Sequence, residues 1–203
     1  MIEIEIKNTP LKFESDSMLF SPTAIDIGTL AMLSTIEFSQ GDKVLDLGCG
    51  YGVVGILACK LLGDNNVVMC DISEKAVEYA KRNAKLNGVP NVDIRVSNGF
   101  ENIIENNFTL ILSNPPYHTD FSVAKHFIEV GFKKLSVGGR MVIVTKRLEW
   151  YKNKLSSTFG GVKVHKIDGY YVFIAEKRNN YIKKKEKKAT LSKKLQRKQN
   201  KFR

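Results

Sequence analysis

Val44-Leu45-Asp46-Leu47-Gly48-Cys49-Gly50-Tyr51-Gly52 reads as a short buried strand running straight into a loop with glycine at every second position. Apolar side chains at 44, 45 and 47 suit a strand covered on both faces. The glycines that follow let the backbone turn sharply and pass close to a bound molecule. From residue 43 onward the pattern repeats as βαβα. Strands are predicted near 43–47, 66–70, 92–96, 109–113 and 140–145, and helices near 52–62, 73–87, 122–135 and 148–158. Such alternation implies a mainly parallel, doubly wound α/β sheet. The C-terminal pattern departs from it. Val162 to Ile167, then Asp168-Gly169, then Tyr170 to Ala175 predicts an antiparallel hairpin, which brings the sheet to seven strands.

Ahead of the glycine loop, Ile2-Glu3-Ile4-Glu5-Ile6 alternates with period two and predicts a half-buried strand. Asn8-Thr9-Pro10 predicts a turn, and Leu11 to Glu14 a returning strand. Phe20-Ser21-Pro22-Thr23-Ala24-Ile25-Asp26-Ile27-Gly28-Thr29 then leads into a helix that reaches about Ile36. The 73–87 helix is the best marked. Ser73 caps it, Glu74 complements its dipole, Ala76, Val77, Ala80 and Ala84 form its apolar face, and Asn87-Gly88 ends it.

A chain of 203 residues is long enough for one sizeable core. No run of residues approaches the 18 or so apolar positions a membrane span requires, and the N-terminus does not read as a signal peptide. Cys49, Cys59 and Cys70 fall in or beside buried elements without metal-ligand spacing, the usage of a reducing compartment. A cytoplasmic monomer with no metal and no membrane contact is the expectation. The formal charge of +11 is unevenly placed. Residues 177–203 hold 13 Lys/Arg and the single acid Glu186, whereas residues 1–176 hold 19 Lys/Arg and 20 Asp/Glu. The basicity belongs to a tail suited to a polyanion, RNA or DNA. Two parts follow: a domain over 1–177, in which 1–40 supply N-terminal strands and a helix beside the ligand loop, and a basic tail over 178–203, mobile or weakly helical.

Two ligand classes compete for the glycine loop. Gly50-Tyr51-Gly52-Val53-Val54-Gly55 fits G-x-G-x-x-G with Asp71 about 20 residues on, as in a nicotinamide enzyme. Asp46 and Gly48, however, already occupy the turn at the strand end, and a carboxylate there suits an amine better than a pyrophosphate. S-adenosylmethionine carries an ammonium, a sulfonium and a ribose diol. Asp46 can hold its amino-acid end, and Asp71 can accept from both ribose hydroxyls. In the loop after the third strand, Asn98 can meet an adenine amino group, with Phe100 packing nearby.

A second signal lies at the end of the fourth predicted core strand, Asn114-Pro115-Pro116-Tyr117. A nitrogen conjugated to a ring is a poor nucleophile because its lone pair is delocalised. Hydrogen bonds from its two N–H groups to the Asn114 carboxamide and the Pro115 carbonyl favour a tetrahedral nitrogen. Tyr117 offers a face on which a base stacks, worth about 1–3 kcal/mol. A duplex base would first have to be flipped out. No strong general base is required: positioning and electrostatics carry such a step. His118 is read as a rim residue or a proton acceptor.

These residues together resemble a class I S-adenosylmethionine-dependent methyltransferase of the small methyltransferase group, with a Rossmann-like fold. Within it the chain is similar to bacterial ribosomal RNA guanine 2-amino methyltransferases. The resemblance covers roughly residues 15–177 and is carried by Phe20 with Asp26-Ile27-Gly28-Thr29, Val44 to Gly52, Asp71, Asn114-Pro115-Pro116-Tyr117-His118, and the stretch from Gly138-Gly139 through the Asp168-Gly169 hairpin. It implies a cofactor site of Thr29, Asp46, Gly48, Cys49, Gly50, Gly52, Asp71, Ile72, Asn98, Gly99 and Asn114, with the Asp26-Ile27-Gly28-Thr29 stretch near the methionine part. Catalysis falls to Asn114, Pro115 and Tyr117, and substrate binding to Pro116, Tyr117 and His118. Asn98 stands where the family usually has an acid. The implied reaction is methylation of a guanine 2-amino group in ribosomal RNA, with the ribosomal RNA or subunit held by the 178–203 tail. Asn-Pro-Pro-Tyr equally fits an adenine 6-amino or a protein-glutamine methyltransferase, and a non-catalytic RNA-binding assembly factor is the reading outside enzymes.

Overall fold

The computed structural model describes residues 1–115 and 121–180. A seven-stranded sheet is built from β3 (Val44–Leu47), β4 (Val67–Asp71), β5 (Asp93–Val96), β6 (Phe108–Ser113), β7 (Leu135–Thr145), β8 (Lys163–Ile167) and β9 (Tyr170–Glu176), in the order β5-β4-β3-β6-β7-β9-β8. The first five of these run parallel, while β9 pairs antiparallel with both β7 and β8. Strand order reverses between β3 and β6, the place where such sheets open a crevice at their C-terminal edge.

Helices cover both faces. On one side α1 (Ile27–Ser34), α2 (Val53–Leu62) and α3 (Glu74–Leu86) bury a core with Met32, Ile56, Leu57 and Met69. On the other, α4 (Phe121–Lys134) and α5 (Glu149–Phe159) cover Leu45, Ile111, Ile143 and Phe173. Burial on both faces explains why the parallel strands read as apolar runs rather than alternations. Cys49, Cys59 and Cys70 are free and buried. Burial pushes the Cys59 and Cys70 thiols up to about 12, so they behave as small apolar groups.

Two differences from the sequence reading concern boundaries. The N-terminal turn lies at Lys7-Asn8, both with positive φ, so Thr9 and Pro10 already belong to β2 (Thr9–Phe13), which pairs with β1 (Ile2–Ile6). Two consecutive left-handed residues make the mirror-image turn that matches strand twist, a geometry Asn tolerates. β7 begins at Leu135, five residues before the predicted strand, because Leu135 pairs with Phe108 ahead of a register shift near Gly138-Gly139. Lys177, the last residue of the expected 1–177 domain, is tied to the sheet. It is 5% exposed, its Nζ donates to the Leu135 carbonyl at 2.6 Å, and its backbone bonds to Gly138 and Gly139. Among the described residues no helix is long and apolar enough to cross a membrane. Of the expected 178–203 tail, residues 181–203 lie outside the described residues.

The β1–β2 hairpin sits apart from the main sheet and is tied down by α3. Asn83 accepts from Glu14 N–H at 2.8 Å and donates to the Glu14 and Tyr51 carbonyls at 2.9 Å each. One turn on, Asn87 bonds the N–H and the carbonyl of Lys12. Both asparagines are buried, Asn83 on the apolar face of α3 and Asn87 at its C-cap, and their carboxamides stand in for a strand edge.

Candidate active site

The loops that leave β3, β4, β5 and β6 converge on a cavity of about 440 Å³ at the C-terminal edge of the sheet. Thr29, Asp46, Gly48, Cys49, Gly50, Asp71, Ile72, Asn98, Gly99, Asn114 and Pro115 line it, so sequence positions from 29 to 115 meet there. Pro116, Tyr117 and His118 lie outside the described residues.

Asp46 is 3% exposed, and its Oδ2 accepts from the N–H of Gly55 in the first turn of α2 at 2.8 Å. Burial pushes its carboxyl up to about 7; the Gly55 hydrogen bond opposes the rise, and the charge of nearby Asp71 adds to it. A buried acid poised near neutrality loses its proton to water once a cation is placed beside it, because the opposite charge favours the carboxylate. Asp71 ends β4 and fixes the loop: one oxygen accepts from Gly50 N–H and the other from Ser73 N–H, both at 2.9 Å. Gly50 takes φ +55, which frees its N–H to point at Asp71. Beyond Asp71 the cavity turns apolar, with Ile72, Val123 and Phe127; Ile72 is 67% exposed, an unusual place for a large aliphatic unless something covers it.

Asn114 has the most specific environment. Its Nδ2 donates to Asp26 Oδ2 at 2.8 Å and to Thr29 Oγ1 at 3.1 Å. An ionised carboxylate only accepts, so the group facing Asp26 is the amide NH₂, and Oδ1 is the acceptor left over. That oxygen is buried and has no hydrogen-bond partner among the described residues. Both amide hydrogens are engaged by the protein, so Asn114 can only accept from a ligand.

The family model of the methyltransferase small domain matches residues 10–174. The chain belongs to that family. It is 33% identical over 178 residues to Bacillus subtilis protein YbxB, covering 85% of this chain and 89% of that protein. It is 32% identical to ribosomal RNA small subunit methyltransferase C of Serratia proteamaculans over 83% of this chain and 47% of that enzyme. Among solved structures, the 16S rRNA methyltransferase RsmC of T. thermophilus, in complex with AdoMet and guanosine, superposes with a TM-score of 0.78 at 26% identity, covering 87% of this chain and 50% of that one. The chain thus spans about half the length of the methyltransferase C relatives it matches.

Within this methyltransferase domain some expected cofactor contacts sit differently. Gly52 does not line the cavity. It starts α2 in a left-handed conformation, and a Cβ there would stand 2.8 Å from Ile56 Cδ1 and 3.2 Å from Met69, so the glycine serves helix-to-sheet packing. Thr29 is at the cavity wall with its hydroxyl turned to Asn114. Asn98 lines the cavity, but its Nδ2 donates to Glu101 at 2.9 Å. Phe100 turns into the core beneath α4, at 6% exposure, and Val123 and Phe127 take the wall position instead. Those two sit at helical spacing among other apolar residues of α4, so nothing in the sequence separates them from core. Asp26 enters the sequence reading only within the Asp26-Ile27-Gly28-Thr29 stretch that carries the resemblance, and Tyr170 only as a strand residue.

Proposed function

We propose that the chain transfers a methyl group from S-adenosylmethionine to the 2-amino group of a guanine in ribosomal RNA. The cavity suits that cofactor: its volume falls in the usual range for small-molecule sites, about 300–1,000 Å³. Asp46 would hold the ammonium and Asp71 the ribose hydroxyls. Ile72, Val123 and Phe127 would cover the adenine. When bound, S-adenosylmethionine supplies a sulfonium methyl, which passes to the nitrogen as the sulfur leaves as a thioether and the methylated amine sheds a proton to water.

The chain's own part is to prepare the nitrogen. The unmet, buried Oδ1 of Asn114 is the observation that carries this reading, since a buried acceptor without a partner costs about 1–3 kcal/mol until something donates to it. Accepting one N–H there, with the Pro115 carbonyl taking the other, would draw the lone pair out of conjugation and meet positive charge as it develops. Tyr117 would stack on the base, and Pro116 and His118 would border it. The likeness to ribosomal RNA methyltransferases and to a structure holding guanosine supports guanine over adenine or a glutamine side chain.

Asn114→Ala should leave S-adenosylmethionine affinity within about threefold while methyl transfer falls about 10²-fold or more, because the contact matters only once the target is bound. Calorimetry and single-turnover transfer to 16S rRNA measure the two. Nucleoside mass mapping identifies the product. Label appearing in N6-methyladenosine, or in protein alone, refutes the guanine assignment.

A further inference from the structure

Asp26 does more than a helix cap requires. Its Oδ2 accepts from Thr29 N–H at 2.9 Å, the ordinary capping bond, and also from Asn114 Nδ2 at 2.8 Å. Its Oδ1 accepts from the Tyr170 hydroxyl at 3.3 Å. Serine or threonine would also cap α1, but a single hydroxyl, which can donate as well as accept, cannot serve Thr29, Asn114 and Tyr170 as two acceptor oxygens do. Tyr170 opens β9, 144 residues along the chain, and is 6% exposed. Its ring is set against the first turn of α1 so closely that a Cβ on Gly28 would stand 2.6 Å from Cε1. Three distant segments therefore converge on one amide: the α1 N-terminus, the loop after β6 and the C-terminal hairpin.

We infer that Asp26 and Tyr170 are positioning residues for methyl transfer: Asp26 locks the Asn114 carboxamide with Oδ1 toward the target nitrogen, and Tyr170 locks Asp26. This rests on the role proposed for Asn114. An amide rotates freely between two orientations of similar shape, and only one presents oxygen to an N–H donor. Because a carboxylate cannot donate, Asp26 excludes the wrong one. The antiparallel end of the sheet thereby supports the reacting loop from behind.

Three variants test this on the intact protein. Asp26→Ser keeps a helix cap and releases the amide. Asp26→Asn can place a carboxamide oxygen where Oδ2 stands and so serve Thr29 and Asn114 together. Tyr170→Phe removes one hydroxyl and keeps the packing. Asp26→Ser should lower single-turnover transfer to 16S rRNA about tenfold or more, with S-adenosylmethionine affinity within about threefold. Asp26→Asn should recover most of that loss, and Tyr170→Phe should show a smaller fall in the same direction. The side-chain amide proton resonances of Asn114 should shift in Asp26→Ser and Tyr170→Phe, and far less in Asp26→Asn. Unmoved Asn114 amide resonances in Asp26→Ser, or equal losses in Asp26→Ser and Asp26→Asn, would overturn the inference; should Asp26→Ser not fold, an unmoved amide in Tyr170→Phe does the same. Normal turnover by Asn114→Ala overturns the functional reading itself, and it is recognised apart because the Asn114 variant alone reports it.

Discussion

Asp46 carries a conflict between stability and binding that a single proton resolves. Its carboxyl is ordinary in the unfolded chain and pushed up to about 7 in the fold, so the ligand-free fold prefers the protonated form. The stabilising contribution is complete below the unfolded value near 3.8 and is lost as pH rises through about 7. Asp46→Asn keeps an oxygen for Gly55 and removes the charge. The variant should melt higher than the parent at pH 8, differ little from it at pH 4, and bind S-adenosylmethionine more weakly. Calorimetry at the two pH values checks the sign, and a parent that melts higher at pH 8 would refute it. Asp71→Ala belongs to the same scale. It strips acceptors from Gly50 and Ser73 N–H and, on the proposed reading, from the cofactor ribose, so affinity should fall by roughly 1.5–3 kcal/mol per lost charged hydrogen bond. Asp46, Asp71 and Asn114 were legible in sequence because each stands at or beside a predicted strand end that faces the crevice. Asp26 as the partner of Asn114 was not legible, since 88 residues separate them and no local pattern pairs the two side chains.

At the scale of elements, α3 links stability to the site. Asn83 lies on the same helical face as Ala76 and Ala80, where a sequence reading places only small apolar residues, yet it is fully buried and holds Glu14 on the hairpin and Tyr51 in the glycine loop. Asn83→Ala leaves those backbone groups unmet. Urea denaturation should show a loss of about 2–4 kcal/mol, given about 1–3 kcal/mol for each buried group left without a partner. Cofactor affinity should fall too, because the Tyr51 carbonyl anchors the loop. A variant with parental stability would mean that water replaces the carboxamide. The helix positions themselves were read closely from capping and apolar spacing, with α3 capped by Ser73 as expected. The second glycine of the G-x-G-x-x-G pattern was misassigned because a ligand-facing and a packing-facing glycine look identical without the neighbouring Met69 and Ile56.

For the molecule as a whole, charge separates from fold. With Lys177 counted in the domain, residues 1–177 balance 20 Lys/Arg against 20 Asp/Glu, while residues 181–203 carry 11 Lys/Arg and one Glu. Deleting residues 181–203 should leave melting temperature and cofactor affinity unchanged. Affinity for 16S rRNA should fall, and the plot of log affinity against log salt should flatten by several units, at about 0.7 per single-strand phosphate contact. The methylated nucleotide should stay the same, since backbone contacts position and base contacts specify. An unaltered salt slope would assign the arm to another partner. The order of elements, the parallel sheet with its antiparallel end and the carboxylates of the glycine loop were all determined by the sequence alone, because local periodicity, capping and turn chemistry act over a few residues. Only the tertiary structure decided which way the Asn114 amide points and which glycine faces the cavity. Those depend on hydrogen bonds and contacts between segments up to 144 residues apart, whose meeting no local pattern encodes.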